Sequence, residues 1–129
     1  MKMRTVHADS VPTPKPGIKS NCKLVGNQFF ISGMVGRETD GSIPGGMAAQ
    51  ATLAFRKIQA LAQAAGGKMS DVVQLNVFAT ELAVDDFQRV RREFFSGDFP
   101  CSTFVQVKGL ADPRLVVEIN ATGFIGAGD

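Results

Sequence analysis

Several features that mark specialised protein classes are scarce in this sequence of 129 residues. Its two cysteines, Cys22 and Cys101, lie far apart and in no metal or redox spacing. Two lone thiols in an otherwise ordinary chain indicate a reducing compartment. No apolar run approaches the length that spans a membrane, and no apolar segment of a signal peptide follows Lys2 and Arg4. We therefore expect a cytoplasmic protein with no membrane partner.

Excess charge is also lacking. The net charge is only +2, and the lysines and arginines are scattered except for Arg89, Arg91 and Arg92. These three alternate with Val90 and Glu93, a pattern typical of a solvated helix face. A protein that binds nucleic acid usually carries a basic stripe or aromatic stacking motifs, and neither is evident. We therefore predict no nucleic-acid partner.

Cofactor motifs are absent as well. The chain has no Gly-x-Ser-x-Gly, no phosphate loop, no dinucleotide fingerprint and no metal-ligand spacing of His, Cys, Asp and Glu. Its only histidine, His7, precedes a proline-rich loop and has no partner in sequence, so it carries little weight as a catalyst. We predict neither a cofactor nor a metal.

The residues that are present predict one domain spanning 1–129. Hydrophobic residues make up 44% and charged residues 20%, an ordinary balance for a soluble protein. Alternation of side chains predicts strands, and recurrence at three and four residues predicts helices. The predicted strands are 3–7, 23–25, 28–34, 72–80, 102–108 and 115–124, and the predicted helices are 47–65 and 84–95. Gly26-Asn27 suits a hairpin turn, and Gly66-Gly67 ends the first helix.

The last three predicted strands each have one apolar face and one mixed face, because side chains alternate along a strand. The apolar faces are Val73, Leu75, Val77 and Ala79; Thr103, Val105 and Val107; and Leu115, Val117, Ile119 and Ala121. The mixed faces are Val72, Gln74, Asn76, Phe78 and Thr80; Ser102, Phe104 and Gln106; and Val116, Glu118, Asn120, Thr122 and Phe124. Two helices can cover only one face of such a sheet. The mixed face therefore predicts a homo-oligomer.

Glu118 is the residue of the mixed face that raises a chemical question. It lies in the middle of Leu-Val-Val-Glu-Ile-Asn-Ala, where a buried carboxylate is costly unless it is paired, hydrogen-bonded or protonated. One interpretation is an ion pair with Lys or Arg across a strand or a subunit boundary. The other is a general acid/base or a water-holding group in an interface cleft, near Ser102 on the neighbouring strand.

Five sequence segments resemble one known family. They are "FFISG" (29–33), "AAGGKMSDVVQLNVFAT" (64–80), "ELAVDDFQRVRREFF" (81–95), "FPCSTFVQV" (99–107) and "VVEINATGF" (116–124). Together they resemble the reactive-intermediate deaminases (Rid), also known as L-PSP endoribonuclease-like proteins. The resemblance implies an α+β fold like that of the bacillus-type chorismate mutase, with a mixed sheet and two helices on one face. It also implies a homotrimer with a barrel-like centre and ligand clefts between subunits.

The resemblance implies roles for individual residues. Glu118 matches the glutamate that holds the attacking water, and Ser32-Gly33 match the backbone that touches the ligand. In the family an arginine clamps the substrate carboxylate, but Ser102 stands at that position here. Two further positions also depart from the family: Phe104 replaces a frequent cysteine, and the tyrosine that lines the cleft aligns near Lys19. Lys19 and Arg37 are the candidate replacements for the missing cation.

Two functions from different classes follow from these matches. The first is a cofactor-independent hydrolase that converts an enamine or imine into a 2-oxo acid and ammonia. Its substrate could be larger or differently charged than usual, such as a 2-aminomuconate-type intermediate, with Ser102 bonding a relocated polar group. The second is a non-catalytic trimer that binds a small metabolite or a protein in the same cleft. Retention of Glu118 favours the enzyme, and loss of the arginine favours the binding module.

Overall fold

The computed structural model describes residues 2–129 and contains one six-stranded sheet and two α-helices. The strands are β1 (Met3–Val6), β2 (Cys22–Val25), β3 (Gln28–Val35), β4 (Val72–Ala79), β5 (Cys101–Gln106) and β6 (Val117–Phe124), and the helices are α1 (Met47–Ala64) and α2 (Val84–Phe94). The strand order is β1-β2-β3-β6-β4-β5, with β4 and β5 parallel and the other pairs antiparallel. The predicted α+β class and mixed sheet are confirmed. A short 3-10 helix, Met69–Asp71, which the sequence analysis did not predict, precedes β4.

The first helix follows its predicted periodicity closely. Its buried residues recur at three- and four-residue steps and include Met47, Ala51, Ala54, Phe55, Ile58 and Leu61. The chain leaves the helix at Gly66, whose φ of 103° is strained for any residue with a side chain. The N–H of Gly67 then donates to the Ala62 carbonyl at 2.9 Å, which satisfies one of the last helical acceptors.

Aromatic packing joins both helices to the sheet. The Phe55 ring of α1 lies 5.7 Å from the Phe87 ring of α2, and Phe87 lies 5.5 Å from Phe104 of β5. This contact corrects the predicted faces of β5. Phe104 belongs to the core face, paired with buried Val77, whereas Val105 is 41% exposed on the opposite face. Alternation located the strand correctly but could not decide between two faces that are both partly apolar.

The faces of β4 and β6 agree with the sequence, with one exception. Leu75, Val77 and Ala79 of β4 and Val117, Ile119 and Ala121 of β6 are buried, as predicted. The exception is at the start of β4, where Val72 is buried and Val73 is only half-buried. The pairs Val72–Gly123 and Gln74–Thr122 leave Val73 as an extra residue, so a bulge reverses the alternation there.

No helix or second sheet formed by residues 2–129 covers the mixed face. Phe30 is 42% exposed and Phe124 37% exposed, although both lie within strands of the sheet. Polar groups on the same face bond to each other, as when Asn76 Nδ2 donates to Asn120 Oδ1 at 2.9 Å. A second layer over this face would remove both aromatic rings from water, worth about 1.5–3 kcal/mol for each fully buried ring.

One buried polar side chain fixes the loops at the end of the sheet that carries Glu118. Gln50 of α1 donates through Nε2 to the carbonyls of Pro44 and Arg114, both at 2.9 Å. Its Oε1 accepts the N–H of Val116 at 2.8 Å. Because Val116 enters β6 two residues before Glu118, Gln50 helps to position the strand that carries this carboxylate.

Candidate functional site

An extra residue in β3 shapes the backbone next to Glu118. Ile31 pairs with Ala121 and Met34 pairs with Ile119, so Ser32 and Gly33 together lie opposite the single residue Asn120. The distortion is secured by Ser32, whose N–H donates to the Asn21 carbonyl at 2.9 Å and whose Oγ donates to the Ser20 carbonyl at 2.6 Å. The Ser32 hydroxyl therefore bonds to the loop before β2, and the half-buried Gly33 is the second residue of the bulge.

Glu118 lies directly over this bulge. A Cβ atom added to Gly33 would come within 2.6 Å of both Cδ and Oε2 of Glu118, so any other residue at this position would displace the carboxylate. Glu118 is half-buried and pairs in register with Val35 of β3 and Phe78 of β4. Among residues 2–129 its carboxylate has neither an ion-pair partner nor a hydrogen-bond donor. An ion pair across a strand of the same chain is therefore not present.

A cavity of about 890 Å³ begins at the same bulge. It brings together Gly33 and the two candidate cations, Lys19 and Arg37, and adds Lys15 and Lys57. Its apolar lining comes from the proline-rich loop and the end of β3, with Val11, Pro12, Pro14, Ile18, Met34 and Val35. Lys57 was not among the predicted site residues, because the helical periodicity of α1 does not indicate which loop packs over this side chain.

The basic side chains of this cavity influence one another. Lys57 Nζ donates to the Val35 carbonyl at 2.9 Å. Burial lowers the pKa of Lys57, and the positive charges of Arg37 and Lys19 lower it further against an opposing effect of Glu38.

Arg37 has an acidic neighbour, since its Nη2 lies 3.6 Å from Asp112. The pKa of Asp112 is held well below its usual range, mainly by hydrogen bonds from Arg114.

Ser102 lies apart from Glu118 in this chain. The expectation that it borders the strand of Glu118 is wrong, because β4 separates β5 from β6. Ser102 also pairs with the core residue Leu75, whereas Glu118 pairs with Phe78 on the mixed face. One chain therefore does not bring Ser102 and Glu118 together.

A guanidinium group nevertheless reaches Ser102. Arg91 Nη1 donates to Ser102 Oγ at 3.1 Å, and the guanidinium carbon lies 5.5 Å from the Phe87 ring centroid. The interpretation of the arginine cluster as a purely solvated face is therefore wrong for Arg91. The same interpretation is correct for Arg89, whose guanidinium pairs with Asp86 at 3.0 Å on the exposed surface. Charge patterning along α2 contains no information about the strand that Arg91 reaches.

Across residues 2–129, no three side chains of His, Cys, Asp or Glu converge in a way that could hold a metal ion. Cys22 is buried, and this burial raises the pKa of its thiol to about 11, so the nucleophilic thiolate is disfavoured. Neither helix of the described chain has both the length and the apolar character needed to cross a membrane.

Comparison with known proteins decides the family. The family described as Endoribonuclease L-PSP matches residues 18–125. The chain belongs to this L-PSP (Rid) family. A Rid relative from Dermatophagoides farinae, named 2-iminobutanoate/2-iminopropanoate deaminase, is 36% identical over 75% of this chain and 79% of its own length. Another, the RutC family protein YjgH of Escherichia coli, is 35% identical over 67% of this chain and 68% of its own.

Similar solved structures agree with the fold. A protein of unknown function from Pseudomonas aeruginosa is 35% identical, with a TM-score of 0.88 over 97% of this chain and 94% of its own. RidA from a Psychrobacter species is 33% identical, with a TM-score of 0.87 over 95% of this chain and 99% of its own. The predicted Rid membership and fold are therefore confirmed.

Proposed function

We propose that this protein hydrolyses 2-imino or 2-enamino acids to 2-oxo acids and ammonia. The observation that carries the proposal is the Glu118 carboxylate, which lies over Gly33 and has no ion-pair or hydrogen-bond partner among residues 2–129. A carboxylate with free acceptor oxygens above a backbone position without a side chain can accept a hydrogen bond from a water molecule and orient it. Relatives named as 2-iminobutanoate/2-iminopropanoate deaminases support the same chemistry.

The proposed reaction uses Glu118 as the base. Glu118 accepts a proton from water while the water oxygen bonds to the carbon of the C=N group, and it then passes this proton to the nitrogen, which gives a carbinolamine. Glu118 next accepts the hydroxyl proton as the carbonyl forms, the C–N bond breaks, and ammonia leaves with that proton. An enamine enters this reaction after it tautomerises to the imine. One water is consumed, and no electrons are exchanged. The backbone at Ser32-Gly33 would line the substrate.

Arg91 is the proposed clamp for the substrate carboxylate. The resemblance to the family places the clamping guanidinium on the residue that is Ser102 here. Arg91 brings a guanidinium to that same residue from α2, at 3.1 Å from its hydroxyl. Arg91 keeps further N–H donors beyond the one that Ser102 accepts, enough for a bidentate carboxylate contact. Arg91 therefore compensates for the arginine missing at position 102.

A complete site requires a second subunit. Glu118 and the pair of Arg91 and Ser102 lie on different parts of the chain and do not meet within it. The uncovered mixed face, with exposed Phe30 and Phe124, supports packing against further copies. In a homotrimer, Glu118 and Gly33 of one subunit would face Arg91 and Ser102 of a neighbour across each inter-subunit cleft.

Ammonia release from imines generated freshly by an amino acid oxidase tests the function. The panel covers imines of small aliphatic, larger and acidic amino acids, each corrected for spontaneous hydrolysis. We expect at least one imine to be consumed much faster with the protein, and Glu118→Gln to lower that rate about a hundredfold, the usual scale for an acid/base group. Full activity of Glu118→Gln would refute the role of Glu118. No acceleration of any imine would favour the non-catalytic binding module.

A further inference from the structure

The cavity beside Gly33 has an unusual charge balance. Its lining contains four basic residues, Lys15, Lys19, Arg37 and Lys57, and no acidic residue. Asp112 offsets part of the Arg37 charge at 3.6 Å and the charge of Glu38 acts on Lys57, but Lys57 forms its hydrogen bond to a neutral carbonyl and not to a carboxylate. Several cations around one space repel each other unless an anion enters it. The charges of the lining therefore favour binding of an anion in the cavity.

Donors remain available to such an occupant. The Lys57 ammonium uses one of its three N–H groups for the Val35 carbonyl and keeps two. Arg37 meets Asp112 through Nη2 and keeps donors on its other nitrogens. Lys19 is exposed at the entrance of the cavity. These groups can form charge-assisted hydrogen bonds, which are about twice as strong as neutral ones.

The cavity lies near Glu118, the proposed reacting group, and the strand pairing gives the scale of the distance. Lys57 Nζ bonds to the carbonyl of Val35, and Val35 is the cross-strand partner of Glu118. Paired Cα atoms in antiparallel strands lie about 4.5–5.5 Å apart. The ammonium of Lys57 is therefore on the order of 10 Å from the Glu118 backbone. Within the cavity, which reaches from Lys57 to Gly33, Val11, Ile18 and Met34 offer an apolar lining to a short carbon chain.

We propose that the cavity lined by Lys19, Arg37 and Lys57 binds a second carboxylate of the substrate. The preferred ligand is a dicarboxylate, a 2-imino or 2-enamino acid whose distal acid lies several bonds from the reacting carbon. This inference deepens the proposed function and rests on it for the reaction. The binding site itself exists whether or not turnover occurs, so binding can be tested separately.

Calorimetric binding of stable 2-oxo acids to the full chain provides the test. The probes are 2-oxoglutarate as the dicarboxylate, 2-oxobutanoate as the monocarboxylate, and inorganic phosphate as a compact anion. The variants are Lys57→Met and Lys19→Met, which remove a charge and retain the apolar stem. The matched control is Lys108→Met, on an exposed residue after β5 that does not line the cavity. Circular dichroism confirms that each variant is folded.

We expect 2-oxoglutarate to bind at least tenfold more tightly than 2-oxobutanoate or phosphate. Each cavity variant should weaken 2-oxoglutarate about tenfold, the scale of one charged hydrogen bond, and change 2-oxobutanoate less than threefold. Lys108→Met should change neither. Equal affinities for the two oxo acids, equal effects of all three variants, or phosphate binding as tight as the dicarboxylate would each overturn the proposal. The ammonia assay with monocarboxylic imines tests the deaminase function without involving the cavity. The cavity proposal can therefore fail while that assay still shows activity, so the two failures are distinguishable.

Discussion

Substitution of Gly33 by alanine should damage the reaction while leaving the protein folded. The added Cβ would lie 2.6 Å from Cδ and Oε2 of Glu118, whereas non-bonded carbon atoms prefer about 3.5–4.0 Å. The carboxylate must therefore move by about 1 Å. A misplacement of about 1 Å in a catalytic group can cost about a hundredfold in rate.

The same substitution should have little effect on stability. The atoms that must move are the end of a flexible, half-buried side chain, and rotation of Glu118 away from its preferred rotamer costs about 0.5–1.5 kcal/mol. Gly33 does not have positive φ, so alanine is compatible with the backbone and restores about 0.4–1 kcal/mol by restricting the unfolded chain. We expect the free energy of unfolding to stay within about 1 kcal/mol of the original, a change in Tm of no more than about 4–8 °C.

Kinetics and thermal unfolding together test this reasoning. The ammonia assay, run on the best imine of the panel, gives kcat and KM, and circular dichroism gives Tm, because the chain has no Trp or Tyr for fluorescence. Gly45→Ala is the matched control, since its added Cβ meets nothing within 4 Å and its φ is also not positive. Unchanged kcat in a folded Gly33→Ala protein would refute the positioning of Glu118. A Tm lowered by more than about 10 °C would show instead that Gly33 serves packing.

Three further outcomes follow from contacts described above. Arg91→Met should lower kcat/KM by about tenfold to a hundredfold through loss of the charged carboxylate contact, and the double variant Arg91→Asn/Ser102→Arg should recover part of the lost activity. An Arg91→Met protein with unchanged kcat/KM would exclude Arg91 as the clamp. Gln50→Leu leaves Pro44 O, Arg114 O and Val116 N without partners, so urea unfolding should show a loss of about 2–4 kcal/mol, and a loss below about 1 kcal/mol would contradict its role. Light scattering at micromolar concentration should give about 41 kDa, three chains of 13.7 kDa, whereas a stable 13.7 kDa species would exclude the shared clefts.

The fold could be predicted from the sequence wherever the alternation of apolar and polar residues was compatible with only one buried face. The buried residues Leu75, Val77 and Ala79 alternate with the less buried Asn76 and Phe78, and β4 lies where that alternation indicates. The prediction failed where both faces of a strand carry apolar residues. Phe104 and Val105 could each face the core, and only the position of Phe87 on the facing helix decides between them.

The candidate site could be predicted only in part, for a related reason. Resemblance to the family located Glu118 and Gly33, and the geometry brings these two residues into contact. Lys57 and Arg91 were not selected, because a lysine or an arginine on a helix is ordinarily a solvated residue. Their significance depends on partners far away in sequence, the Val35 carbonyl and the Ser102 hydroxyl, which local periodicity does not reveal.

The central place of β6 has a consequence for how the protein is made. β6 is the last strand in chain order, yet it lies between β3 and β4 and joins the two halves of the sheet. During synthesis, β3 and β4 therefore expose unpaired edges until residues 117–124 have left the ribosome. Such edges are templates for pairing with other chains, and non-local pairing of this kind folds slowly. Translation that stalls before Val117 should thus yield aggregation-prone chains that depend on chaperones, with neither a finished sheet nor Glu118 to face Gly33.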